Sequence, residues 1–175
     1  MGQEKGMRRL LVPLIALAVA GSAQAQTVVL VRHAEKAEGN DPELTAAGQA
    51  RAQALARELN GVRLSRILAT PPRRTQLTAA PAASAAGLAV EPVSLEGGAA
   101  AHIARVAAEA RKAKPGETVL IVGHSNTVPE IARALGDPAP VALTDCDYDS
   151  LTVIDLSPSP PTVAHKRYGA PTKAC

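Results

Sequence analysis

Hydrophobic positions fall along this chain in two rhythms, short unbroken runs and longer stretches with helical spacing, and the two alternate. Thr27-Val28-Val29-Leu30-Val31 is a continuous β-branched run, the pattern of a strand buried on both faces, and it stops abruptly at Arg32-His33. From Thr45 to Leu59 the spacing is helical, with Ala47, Ala50, Ala54 and Leu55 on one side, Thr45 as N-cap and Gly61 closing the segment. Ile67 to Thr70 reads as a second short strand, stopped by Pro71-Pro72. Thr75 to Ala86 reads as a helix that Pro81 should kink or shorten. Leu88 to Val93 is a strand that Pro92 assigns to an edge, and Gly98 to Lys114 is helical up to Pro115-Gly116. Thr118 to Val122 is the clearest strand of all, followed directly by Gly123-His124. Thr127 to Leu135 is a short helix with Pro129 in its first turn and Gly136 just past its end. Ser150 to Leu156 and Thr162 to Lys166 supply the last strands, with Ser157 to Pro161 as a tight connection. Strands alternating with helices predict an α/β sheet covered by helices on both faces.

The chain opens differently. Lys5, Arg8 and Arg9 precede an apolar run from Leu10 to Ala20 and then Ala23-Gln24-Ala25, the layout of a secretory signal peptide cleaved after Ala25. The run contains Pro13 and falls short of the roughly 20 apolar residues that a membrane-spanning helix needs. We therefore expect residues 1–25 to be a leader, beginning at Met1 or Met7, and residues 26–175 to be one periplasmic or secreted domain without a stable membrane anchor.

Charge and composition narrow the partners. Removing three basic residues and one acidic residue with the leader, from totals of 19 and 16, leaves 16 and 15, so the basic sequence pI is no argument for nucleic acid or membrane binding. Two Tyr are the only aromatic residues, so the core must be aliphatic and platforms for stacking bases are absent. Two cysteines in an exported chain, Cys146 and Cys175, predict a disulfide that ties the C-terminal tail to a late loop.

Three strand ends carry cationic or imidazole side chains: Arg32 and His33 after the first, Arg73 and Arg74 after the second, His124 after the fourth. In an open parallel sheet, ligands bind beyond the carboxyl ends of the strands, so these residues should meet at one edge. Two guanidiniums and two imidazoles make an anion pocket, and phosphate suits the bidentate arginine fork. Flanking cations disfavour a protonated His33, which leaves it neutral and nucleophilic near pH 7.

Arg32-His33-Ala34-Glu35-Lys36 after an apolar strand resembles the Arg-His-Gly opening of the histidine phosphatase superfamily, in its phosphoglycerate mutase-like branch. The resemblance continues through Leu44-Thr45-Ala46-Ala47-Gly48, the stretch Ala69 to Ala79, and Gly123-His124-Ser125-Asn126-Thr127, in order and at fitting spacing. Ala34 stands for the common Gly, and Ala69-Thr70 for the usual Ser-Ser pair. The resemblance implies a three-layer α/β/α sandwich with a mostly parallel central sheet, His33 as nucleophile, Arg32 and Arg74 as phosphate-binding residues, and His124 as the second pocket histidine with both catalytic and binding roles. It aligns Arg74 rather than Arg73, because Thr78-Ala79 then falls at the usual offset.

Relatives that cleave alkyl phosphates place a general acid after the second arginine. The candidates here are Glu91 and Glu96, with Glu96 the better placed. Asp145, Asp147 and Asp149 read as a solvated acidic run, and His102 and His165 as structural. No recognised metal-ligand spacing is present, so no metal or other cofactor is expected. The reading is an exported, metal-independent phosphatase acting on a small phosphorylated substrate through a phosphohistidine on His33. Its alternatives are a noncatalytic phospho-ligand binder on the same scaffold and a phosphomutase.

Overall fold

A computed structural model describes residues 24–172, so most of the expected leader, and Cys175, lie outside the described residues. The elements run β1 (Thr27–Arg32), α1 (Ala46–Glu58), β2 (Leu64–Ala69), α2 (Arg73–Ala86), β3 (Val90–Pro92), α3 (Gly98–Ala110), β4 (Thr118–Gly123), α4 (Val128–Ala134), β5 (Ser150–Asp155) and β6 (Thr162–Arg167). They form one sheet in the order β3-β2-β4-β1-β5-β6. The first four strands in that order are mutually parallel, while β5 and β6 close the far edge antiparallel.

The unbroken apolar runs are explained by burial on both faces. Successive strand residues point to opposite sides, so Val28, Leu30, Val119 and Ile121 pack with Val106, Ala110 and Ile131 of α3 and α4. The alternate set, Val29, Val31, Leu120 and Val122, packs with Leu55 of α1 and Ala79, Ala82 and Ala83 of α2. The result is the expected three-layer sandwich. Pro92 sits on the edge strand β3, where its missing N–H costs no ladder bond.

Three boundaries differ from expectation. The helix α2 begins at Arg73 rather than Thr75, with Pro72 as its N-cap, and it runs through Pro81 to Ala86 without being shortened. Buried alanines lie on both sides of the proline, and their packing against the sheet holds the segment helical. The strand β2 begins at Leu64, its first half hidden in the sequence by Ser65 and Arg66. The helix α3 stops at Ala110. Beyond it, Lys112 N bonds Glu109 O and Ala113 N bonds Ala110 O, a tightened last turn where the sequence pattern suggested four more helical residues.

Candidate active site

Strand register assembles the site. Arg32 pairs with Gly123 across β1 and β4, and His33 N donates to Gly123 O at 2.9 Å, which sets His33 beside His124. On the other side of β4, Ala69 pairs with Val122, so Thr70 also faces His124. Gly123 allows the sharp exit of β4, since a Cβ there would meet Thr127 Oγ1 and Val128 Cγ2 at 3.0 Å. The first turn of α2 brings Arg74 to the same edge. The sheet thus gathers Arg32, His33, Arg74 and His124, all four lining a cleft of about 500 Å3 together with Lys36 and Asp145.

His33 is buried, 4% exposed. Its Nδ1 lies 2.8 Å from Ala34 O, a carbonyl that can only accept, so Nδ1 carries the ring hydrogen and Nε2 carries the lone pair. Burial, and then the Arg32, Arg74 and Lys36 charges, outweigh that hydrogen bond and lower the His33 pKa to about 4. His124 is lowered to about 3 by burial and next by Arg74. The two rings meet edge-on with centroids 5.4 Å apart. Both imidazoles are neutral at pH 7.

Arg32 is buried, and its NH1 donates to Thr144 O at 2.6 Å and to Asp147 O at 3.4 Å. Its guanidinium carbon stands 4.2 Å from the Tyr148 ring centroid, and its NH2 lies 3.7 Å from the exposed Asp145 carboxylate. Arg74 NH2 lies 3.4 Å from His124 Nδ1. Nε of Arg32 and Nε of Arg74 are both buried with no hydrogen-bond partner among the described residues. Two buried guanidinium N–H groups without partners are a cost that an oxyanion in the cleft would remove.

The loop that leaves β1 is held from two helices. Ala34 N donates to Thr78 Oγ1 of α2 at 2.8 Å. Glu35 O accepts from Thr45 N at 2.9 Å, and the Glu35 carboxylate takes Nε and NH2 of Arg51 from α1 at 2.7 to 3.0 Å. The residues of the sequence motifs therefore serve His33 through its backbone as well as through the pocket.

Glu96 is exposed. The residues Leu95 and Gly98 beside it line the cleft, whereas the Glu96 side chain does not. Its backbone N donates to Ser94 Oγ at 3.0 Å, and its carbonyl accepts from Arg105. Glu91 pairs with Arg66 on β2. The carboxylate that does line the cleft is Asp145, which the sequence reading left in a solvated run. Arg73 is not simply solvated: it pairs with Glu43, and its N donates to Asp41 Oδ1 at 2.7 Å. Tyr148 and the carbonyls of Thr144 and Asp147 were also missed, because they belong to a loop without any rhythm or motif, and Thr70, though inside a matched stretch, was given no role.

Residues 28–96 match the model of the histidine phosphatase superfamily (branch 1). Over that stretch the chain is similar to this superfamily. Solved histidine phosphatase structures share its fold: the protein histidine phosphatase SixA complexed with tungstate has 19% sequence identity and a TM-score of 0.62, with 81% of this chain and 96% of that one covered. The mycobacterial glucosyl-3-phosphoglycerate phosphatase complexed with VO3 has 20% identity and a TM-score of 0.56, covering 75% and 91%. A structure named mycobacterial hydrolase 2 has 17% identity and a TM-score of 0.61, covering 87% and 94%. No curated protein sequence matches the chain.

Proposed function

We propose that this chain hydrolyses phosphomonoesters through a covalent phosphohistidine on His33, without a metal, outside the cytoplasm. The observation that carries the reading is His33 itself: a neutral imidazole with its hydrogen fixed on Nδ1 and its Nε2 lone pair free, in a cleft with two buried arginine N–H groups that lack partners. Nε2 attacks phosphorus and the bond to the leaving oxygen breaks. Water then attacks the phosphohistidine, which releases phosphate and restores His33. Arg32, Arg74 and His124 hold the equatorial oxygens while charge moves toward the leaving group.

The leaving group is where the cleft is least equipped. Asp145 is exposed and engaged with Arg32, and among the described residues no other carboxylate lines the cleft. That favours leaving groups that depart without a donated proton, such as aryl phosphates and phosphoramidates, over alkyl phosphates. The names of the two phosphatase neighbours span both a protein phosphohistidine and a sugar ester, so the scaffold serves either class. Export rests on the leader pattern alone. A phosphomutase is disfavoured by it, because the mutase substrates of this superfamily are glycolytic.

The test is turnover of p-nitrophenyl phosphate by a chain beginning at Gln26, with EDTA present throughout. We expect turnover that EDTA leaves unchanged and that His33→Ala abolishes without loss of fold. Acid-quenched turnover should trap phosphate on His33. Tungstate binding without turnover would select the noncatalytic binder, and phosphate trapped on another residue would sink the mechanism.

A further inference from the structure

The hydroxyls of the wall behind His124 set that ring's tautomer through the few hydrogens they carry. Thr75 Oγ1 lies 2.8 Å from Thr70 O, 2.7 Å from Pro72 O and 2.9 Å from Thr70 Oγ1. Thr70 and Thr75 are buried, 1% and 0% exposed. A hydroxyl has one hydrogen, and a carbonyl oxygen can only accept. When Thr75 gives its hydrogen to one of the two carbonyls that crowd it, toward Thr70 it can only accept. That commits the Thr70 hydrogen to Thr75. Toward His124 Nε2, 2.8 Å away, Thr70 Oγ1 is then an acceptor, so Nε2 carries the ring hydrogen.

The opposite edge of the ring gives the same answer from different atoms. Arg74 NH2, which can only donate, lies 3.4 Å from His124 Nδ1, so Nδ1 presents a lone pair on the cleft side. This has a consequence for the phosphoryl group. An ionised phosphoryl oxygen is also an acceptor, and two acceptors cannot face each other without a proton between them. The charged and titratable groups acting on His124 are Arg74 from α2, Arg32 at the end of β1, His33 just after it, and His102 from α3, all of which oppose an imidazolium. An entering anion reverses that balance.

We propose that Thr75 and Thr70 are positioning residues that hold His124 with its hydrogen on Nε2, so that entry of the phosphoryl group is coupled to gain of one proton on the Nδ1 side. The proton arrives on the substrate when it enters as a monoanion with one P–OH, and from solvent when it enters as a dianion. Only an N–H or O–H bond is exchanged in this step. The coupling rests on the phosphatase reading of the cleft, while the tautomer stands independently of it.

The experiment uses histidine 15N NMR and calorimetry on the chain from Gln26, with tungstate as the anion probe and His124→Asn to assign the signals. In the anion-free protein His124 should show a protonated Nε2 and an unprotonated Nδ1. Saturation with tungstate should protonate both nitrogens, and titration in two buffers of different ionisation enthalpy should show uptake of about one proton. Thr70→Val keeps the side-chain shape and removes the hydroxyl. It should abolish the Nε2 preference, weaken the pH dependence of tungstate binding and lower kcat/KM for p-nitrophenyl phosphate by about 10- to 100-fold, the scale of one lost buried hydrogen bond to a charged group. Thr70→Ser should restore all three. A protonated Nδ1 in the anion-free protein overturns the proposal, as does a Thr70→Val variant that keeps the tautomer and the pH profile. If Thr70→Val does not fold, the spectrum of the unaltered protein still decides the tautomer. The expected tautomer and proton uptake in a chain without turnover would sink the phosphatase reading and leave this assignment standing.

Discussion

Arg73 and Arg74 are neighbours in the sequence and separate in the structure, which makes them a controlled comparison. Arg73 faces the surface and pairs with Glu43, an exposed ion pair of the kind worth at most about 1 kcal/mol. Arg74 stands at His124 with a buried, unpartnered Nε. We expect Arg74→Ala to lower kcat/KM by on the order of 10²-fold or more, as for loss of one oxyanion donor. Arg73→Ala should stay close to the parent chain when the same kinetics are measured. A larger loss from Arg73→Ala would mean that the wrong arginine has been placed in the site. At this scale Arg32, His33, Arg74 and His124 were legible because each follows the end of an apolar run, and parallel strand ends converge. Tyr148 and Asp145 were not legible. Asp145 reaches the cleft, and Tyr148 the Arg32 guanidinium, on an irregular loop more than 100 residues after Arg32, and no local pattern encodes where such a loop folds back.

The helix α1 and the loop leaving β1 depend on one close approach. A Cβ on Gly48 would stand 2.1 Å from Glu35 O, while Thr45 Oγ1 caps the helix by accepting from Gly48 N at 3.1 Å. Gly48→Ala must therefore push backbone against backbone two residues from His33. We expect a loss of about 1–3 kcal/mol in stability, the usual cost of overpacking, with a fall in kcat as His33 shifts. Thermal unfolding and steady-state kinetics check both, and an unchanged melting temperature would show that the loop can yield. The loop from Ser94 to Gly98 poses the opposite question, because it rims the cleft without bringing a carboxylate into it. If Glu96 nevertheless swings in as proton donor, Glu96→Gln should slow alkyl phosphate hydrolysis by about 10²- to 10⁴-fold and spare p-nitrophenyl phosphate. No effect on either substrate would place the chain among phosphatases without a dedicated acid. Equal effects on both would make Glu96 a binding or structural residue. The start of α1 and the end of β2 were readable from Thr45 and Pro71-Pro72, whereas the start of α2 and the end of α3 were not, and Arg111 to Lys114 keep a helical composition after the hydrogen bonding has tightened.

Across the whole molecule, alternating rhythms were enough to foresee a layered α/β sheet, but not that β5 would pair antiparallel with both β1 and β6 at that edge. That depends on how the chain returns after α4, and the same return brings the two ends of the last segment together. Thr172 Oγ1 donates to Asp149 Oδ1 at 2.9 Å, and Tyr168 N donates to Asp149 O at 2.9 Å. Thr172 and Cys146 also line one cavity of about 640 Å3. The sequence expectation of a Cys146–Cys175 disulfide falls on this returning loop through Cys146. Cys175 lies outside the described residues, and Cys146 is not a free thiol. Closing a loop of about 30 residues should stabilise the fold by roughly 3 to 4 kcal/mol in the chain-entropy model. The bond also bears on the site, because Thr144 and Asp147, whose carbonyls hold Arg32, flank Cys146. We expect no thiol in the nonreduced, denatured chain from Gln26. Reduction should lower the melting temperature and raise KM for p-nitrophenyl phosphate more than it lowers kcat, since Arg32 binds the phosphoryl group while His33 attacks it. Two titratable thiols would exclude the bond, and reduction without change in KM would show that Tyr148 and the loop carbonyls hold Arg32 unaided.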